Sequence, residues 1–239
     1  MITVLANPHR FMAFSRWAAP LFGILAIAII GWGLALALAA PPDYQQGETV
    51  RIMFVHVPAA WTAMFAYVCL GAASFISLVF RHAVADAAAR AAAPLGAGFT
   101  AAALVTGSLW GKPMWGTWWA WGDSRLVSVL VLFLLFLGYI ALRSSIEDEA
   151  KAARAAEILA LVGLINLPVI KFSVDWWNTL HQGESIFRRG GPTIAPVYLQ
   201  PLFLMGAGYA CAFAALWLTR TRAEVRRRRA ANLALRNLA

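Results

Sequence analysis

Residues 110–142 read WGKPMWGTWWAWGDSRLVSVLVLFLLFLGYIAL. The second half, Leu126–Leu142, carries no charge and is dominated by Leu, Val and Phe. A helix rises about 1.5 Å per residue and a bilayer core is about 30 Å thick, so an apolar run of this length reads as a membrane crossing. The first half packs five of the chain's eleven tryptophans between Trp110 and Trp121. It lies between that run and the uncharged stretch Ala91–Gly111, which puts it where one leaflet meets water. Tryptophan suits that level because its ring is apolar while its N–H stays wet. An ordinary aromatic belt spreads such residues singly. A dense block interrupted by Gly111, Pro113 and Gly116 reads instead as a shaped platform for a large, flat, apolar ligand.

Further uncharged stretches run from Trp17 to Pro42, Val57 to Phe80 and Gly190 to Thr219. A shorter one, Ile158–Ile170, reaches spanning length if Lys171 snorkels its ammonium to the surface and the helix continues toward Asp175. Hydrophobic residues make up 61% of the chain and charged ones 13%, which excludes a soluble domain. Unpaired backbone amides are costly in hydrocarbon, so every crossing must be helical. The expectation is an all-α, polytopic membrane protein: one six-helix bundle over 1–239, with spans near 17–39, 57–80, 91–111, 125–143, 156–175 and 197–219. Residues 110–125 form its tryptophan-rich outer segment and 220–239 a basic tail. Ala37-Leu38-Ala39 resembles a secretory cleavage site, but the preceding apolar run exceeds a signal core of about 7–15 residues and is expected to be a retained span. Pro168 should kink the fifth helix or open its ladder, and Asn166 should make a polar contact with a neighbouring helix.

Fourteen of the twenty basic residues fall on one side of this arrangement, including seven arginines after Thr219, and six on the other. By the positive-inside rule both termini are inside. The net charge of +9 therefore reports topology, and the Arg226–Arg229 run reads as an inner anchor rather than a nucleic-acid site. Cys69 and Cys211 fall within helices, with no C-x-x-C or haem-attachment spacing.

Of four histidines, His9 and His82 read as exposed bystanders on the inner side. His56 and His181 stand at the outer ends of the second and fifth helices, level with the tryptophan block. Neutral imidazoles can ligate an iron from opposite faces, whereas zinc would need ligands the chain does not supply. Arg51, Lys112, Arg125, Arg188 and Arg189 are the outer cations available to an anionic ligand, though each also suits simple interfacial anchoring. Asp123 precedes the fourth helix; N-capping it and placing a ligand are both open roles. Trp61, Trp176 and Trp177 extend the aromatic surface or form a belt.

The stretches DYQQGETVRIMFVHVPAAW, ALVTGSLWGKPMWGTWWAW and INLPVIKFSVDWWNTLHQG together resemble the haem exporter protein C family of bacterial system I cytochrome c maturation, from about Pro41 to Gly183. The resemblance implies a six-helix inner-membrane protein that holds haem b at its periplasmic face. It implies His56 and His181 as axial ligands of the haem iron. Trp110, Trp115, Trp118, Trp119 and Trp121 become the hydrophobic platform, with Asp123, Arg51 and Arg125 beside it. It further implies delivery to a membrane-anchored periplasmic haem chaperone, and a complex with an ABC-type ATPase, a second membrane subunit and a small single-span subunit. In the family's signature a Trp-any-Trp run is followed directly by Asp; here Gly122 separates Trp121 from Asp123. Either the fourth helix is re-registered, or Asp123 reaches the same place through a glycine-permitted turn.

Haem handling rather than enzymatic chemistry is the resulting expectation. A permease for haem or another small substrate is the alternative, and it would require polar residues lining the bundle at mid-membrane. An intramembrane protease ranks last, because no HExxH helix is present and no nucleophile has a histidine at its depth.

Overall fold

The computed structural model describes residues 7–183, 185–186 and 189–238. Among the described residues, seven α-helices carry six crossings. They are α1 (Pro8–Ala39), α2 (Met53–Phe80), α3 (Ala83–Trp115), α4 (Ser124–Ser145), α5 (Glu149–Gly163), α6 (Asn166–Trp176) and α7 (Pro196–Leu238), with a 3₁₀ turn (Glu48–Ile52) leading into α2. Among the described residues the only bridge of β type joins Asp43 to Gly47.

The fifth crossing is α5 and α6 in series, broken at Leu164–Ile165. There the ladder tightens, with Leu164 N–H on Leu161 O and Ile165 N–H on Val162 O, both at 3.2 Å. The cause is Pro168, whose ring cannot pass the carbonyl four residues before it, that of Leu164. Asn166 spans the break and donates from Nδ2 to Ser128 O at 2.9 Å, tying α6 to α4.

Small residues let the helices approach closely, which matters in lipid, where apolar burial supplies little drive for association. At the centre Tyr67 and Phe136 meet edge to face, with centroids 4.9 Å apart, and both are fully buried. Each ring also presses against a glycine of a third helix. A Cβ on Gly96 would collide with Phe136, and one on Gly163 with the Tyr67 hydroxyl. Gly96→Ala and Gly163→Ala should therefore each destabilise the bundle by about 1–3 kcal/mol, the usual cost of overpacking. Gly98 faces open space. Thermal unfolding in mild detergent should show lowered Tm for the first two variants and little change for Gly98→Ala. Equal Tm for all three would contradict this packing.

α1 and α7 run antiparallel. Tyr198 Oη donates to Pro41 O (3.1 Å) at one end, and Arg222 donates to Met12 O (2.7 Å) and Ser15 Oγ (2.9 Å) at the other. Between them Gly208 admits Ile30, whose backbone nitrogen would lie 3.1 Å from an added Cβ.

The basic tail expected over 220–239 is helical. α7 continues unbroken to Leu238, and its first turns past Thr219 enter an ion network. Asp86 is held by Arg143 (2.9 Å) and Arg228 (2.6 Å), while Glu224 takes Arg227 (2.9 Å) and Arg228 (2.7 Å). His82 is no bystander: its ring N-caps α3, accepting from Ala85 N–H at 3.1 Å.

The alternation of helices brings the end of α1, the start of α2, the end of α3, the start of α4, the end of α6 and the start of α7 to one end of the bundle. That end carries the tryptophans.

Candidate functional site

His56 lies in the first turn of α2 and turns toward α3. Its Nδ1 is 3.0 Å from Ala103 O and 3.2 Å from Thr106 Oγ1. A carbonyl can only accept, so Nδ1 carries the hydrogen of a neutral ring and Nε2 keeps its lone pair. Two further groups on the same face of α3 hold the ring. Trp110 meets it edge-on, with centroids 5.7 Å apart at 74°. Gly107 makes room for it, because a Cβ there would sit 2.9 Å from His56 Cε1. Ala103, Thr106, Gly107 and Trp110 follow the i, i+3, i+4, i+7 spacing of a single helix face. Neither Gly107 nor Thr106 is given a role by the sequence reading; that spacing opposite an interfacial histidine is the available signal.

His181 is placed by Asp123. The carboxylate N-caps α4, with Oδ1 accepting from Leu126 N–H at 2.9 Å. Oδ2 accepts from Leu180 N–H at 2.7 Å, and His181 Nδ1 stands 3.3 Å from both oxygens. Asp123 is only 2% exposed. Burial alone would raise its pKa, but the His181 contact and the Leu126 and Leu180 amides outweigh it and push the value down to about 2. An ionised carboxylate accepts only, so His181 also presents its hydrogen on Nδ1 and leaves Nε2 open. Trp115 packs edge-on against it at 5.0 Å and 61°.

The capping role left open by the sequence is present, and the same side chain also holds the His181 ring. Gly122 sits inside a turn closed by Asp123 N–H on Ala120 O (3.1 Å), and its φ is not positive. The extra residue therefore delivers Asp123 without using glycine's special freedom.

Trp110 and Trp115 are five residues apart on α3, an axial offset of about 7.5 Å and roughly 140° around the helix, and each packs edge-on against one imidazole. His56 and His181, far apart in sequence, thus both stand against the last turns of α3. The expected break at Gly111 and Pro113 does not occur. α3 runs through both and ends at Gly116, whose φ of +75° closes it.

The family model described as "Heme exporter protein C" matches residues 1–236. A "Heme exporter protein C" of Bradyrhizobium diazoefficiens is 52% identical over 229 residues, covering 96% of this chain and 87% of that protein. Those of Paracoccus denitrificans (46% over 232 residues, 97% and 96%) and Escherichia coli K12 (46% over 220 residues, 91% and 88%) are likewise similar. The chain belongs to the haem exporter protein C family.

In this member of the haem exporter protein C family, Trp118 and Trp121 stand well exposed beyond α3, with Trp119 half-buried and edge-on to Trp121 at 5.5 Å. Trp176 stacks on Phe172 (5.5 Å, 29°) and touches Trp177, and both indoles are exposed. Trp61 does not extend this surface. It packs on α7 against Phe203 and Gly206, because five residues beyond His56 is roughly 140° around the helix. A cleft of about 330 Å³ opens beside Asp123, walled by Ala120, Gly122, Asn178, Thr179 and Leu180.

The cations are partly committed to the scaffold. Arg51 pairs with Glu48 and reaches Ala40 O at 3.3 Å. Arg125 donates to Ser173 Oγ (3.2 Å) and Lys171 O (3.4 Å), bracing α4 against α6. Lys112 caps the end of α3 through Gly116 O at 3.0 Å. Arg189 is exposed, and Arg188 lies outside the described residues. Among the described residues, no three His, Cys, Asp or Glu side chains gather into a site that could hold a bare metal ion.

Proposed function

We propose that the protein binds haem b as cargo at its tryptophan-bearing end, with Nε2 of His56 and of His181 as axial ligands, and passes it to a membrane-anchored periplasmic haem chaperone. The observation that carries this reading is the shared state of the two imidazoles. Each has Nδ1 tied to an acceptor of the protein, leaving Nε2 as the only ligating atom. Iron–porphyrin chemistry needs two such donors and no more, since the macrocycle supplies the other four. The exposed indoles of Trp118 and Trp121 offer the apolar surface. Two N–H donors at this end, Trp119 Nε1 and Arg51 Nε, are buried without a hydrogen-bond partner among the described residues, and a propionate would supply an acceptor.

In this reading the protein orients and presents haem, while bond formation belongs to the cargo and the chaperone; it is not itself an enzyme. It works in the bacterial inner membrane, with both termini cytoplasmic, in a complex with an ABC-type ATPase, a second membrane subunit and a small single-span subunit. Against the permease alternative, the buried hydroxyls of Thr62 and Thr100 turn back onto Pro58 O and Gly96 O of their own helices, while in its favour stand the hydroxyls of Tyr67, Ser74 and Tyr139, buried without a hydrogen-bond partner among the described residues.

The test is purification in mild detergent with haemin added, read by absorption and pyridine haemochrome, followed by incubation with the haem-free chaperone. Stoichiometric haem b that becomes covalently attached to the chaperone is expected. Absence of bound haem would end the binding claim, and bound haem that never transfers would end the delivery claim.

A further inference from the structure

Pro41–Gly47 forms a tight turn just before α2. Asp43 Oδ1 accepts from the N–H groups of Gln45 and Gln46, both at 2.9 Å, and Asp43 and Gly47 exchange backbone hydrogen bonds at 3.1 and 2.8 Å. Gly47 closes the turn at φ +55° and ψ −137°, a conformation essentially restricted to glycine. Thr49 then donates from its N–H (3.2 Å) and its hydroxyl (2.7 Å) to Gln46 O. The backbone of Gln46 is held on both sides before its side chain makes any contact.

That side chain leaves the turn and meets the tip of α3, where Gln46 Oε1 accepts from Trp110 Nε1–H at 3.1 Å. Indole N–H is a donor only, which fixes the amide's orientation. Trp110 is the edge-on neighbour of His56. With Nδ1 anchored on Ala103 O, the freedom left to the His56 ring is rotation about that hydrogen bond. Trp110 bounds it on one flank and Gly107 lies within van der Waals reach of the ring.

We infer that Gln46 is a positioning residue for the His56 ligand, acting through Trp110 to set the plane of the imidazole. This rests on His56 being an axial ligand. The plane of an axial imidazole controls the splitting of the iron d orbitals, so it is visible in the g-values of ferric low-spin haem, whereas a group that merely stabilises the fold would not move them. Gln46 also couples the segment leading into α2 to the end of α3, so the ligand's helix and its shield are registered by one hydrogen bond.

The experiment uses the full chain in mild detergent, loaded with haemin, and compares the natural protein with Gln46→Leu, Gln46→Glu and Trp110→Phe by electron paramagnetic resonance of the ferric form and by haem titration. Gln46→Leu should still take up one haem, with a changed g-spread and an affinity weakened by about tenfold, the lower edge of what outer-shell partners of metal ligands contribute. Gln46→Glu keeps an acceptor for the indole and should restore the natural g-values. Trp110→Phe removes the same N–H and should reproduce the shift, with no further change when combined with Gln46→Leu, since both sever one link. It also carries the test if Gln46→Leu fails to fold. Natural g-values in Gln46→Leu, or in Trp110→Phe, overturn the inference, as does a Gln46→Glu spectrum identical to a shifted Gln46→Leu spectrum. His56→Ala in parallel separates the two levels: an unchanged spectrum there removes the axial-ligand reading itself, whereas a changed one alongside unshifted Gln46→Leu removes only the role of Gln46.

Discussion

On the proposed ligation, His56→Ala and His181→Ala would each leave haem with a single protein ligand, and the double variant would leave none. The expected result is a changed Soret band and haem affinity reduced by 10-fold or more in each single variant, on the order of what loss of even an outer-shell partner costs, with haem reduced to background in the double variant. Neither change should unfold the bundle. His56 lies at the first turn of α2, where Ala103 O keeps its helical partner, and His181 lies beyond α6 altogether. His9→Ala, at an exposed ring near the start of α1, serves as the control. If both single variants and the double variant bind haem with the natural spectrum, the two imidazoles are not the ligands, whatever else the tryptophans do.

The second large effect is at Asp123. Asp123→Ala removes the α4 cap, worth about 1 kcal/mol, strands Leu180 N–H, and releases His181 to either tautomer. Haem affinity should fall about 10–100-fold through His181 alone. Asp123→Asn separates the roles. Its single amide oxygen can keep the Leu126 cap, but its NH₂ then faces two donors, Leu180 N–H and His181 Nδ1–H. The protein should stay folded and still lose haem. If Asp123→Asn holds haem as tightly as the natural protein, the carboxylate does not position His181.

The same carboxylate carries a pH dependence. An ordinary aspartate titrates near 3.9 and Asp123 near about 2, so the folded state prefers its ionised form. Its contribution, roughly 2 kcal/mol, is complete above about pH 4 and lost as pH falls through about 2. Thermal unfolding should show a larger Tm drop from pH 5 to pH 3 in the natural protein than in Asp123→Asn, which keeps the acid-sensitive Glu224 ion pairs. Equal drops in both proteins would assign the acid sensitivity elsewhere.

The six crossings were legible because each is an apolar run of bilayer length, and the fifth needed only Lys171 and Asp175 to complete it. What the runs did not mark was where helices stop. The alanine-rich start of α3 and the arginine-rich end of α7 are helical by propensity and by ion pairing, neither of which hydropathy records. Gly111 and Pro113 look like breakers, yet membrane helices tolerate them near an end. That His56 and His181 stand at the same end of the bundle could be read from their positions at the helix ends. Their anchors could not, because Ala103 O is a backbone atom that leaves no trace in the sequence, and Asp123 meets His181 across 58 positions. Trp61 is the opposite case: simple rotation about α2 already turns it away from His56.

The locking of both Nδ1 atoms has a thermodynamic consequence for the empty protein. A free interfacial side chain loses about 0.5–1.5 kcal/mol of motional freedom when a ligand immobilises it. Here that entropy is surrendered once, during folding, to Ala103 O and to Asp123. On the proposed ligation, an arriving porphyrin would meet preorganised donors, and its association constant would not be discounted for ordering them.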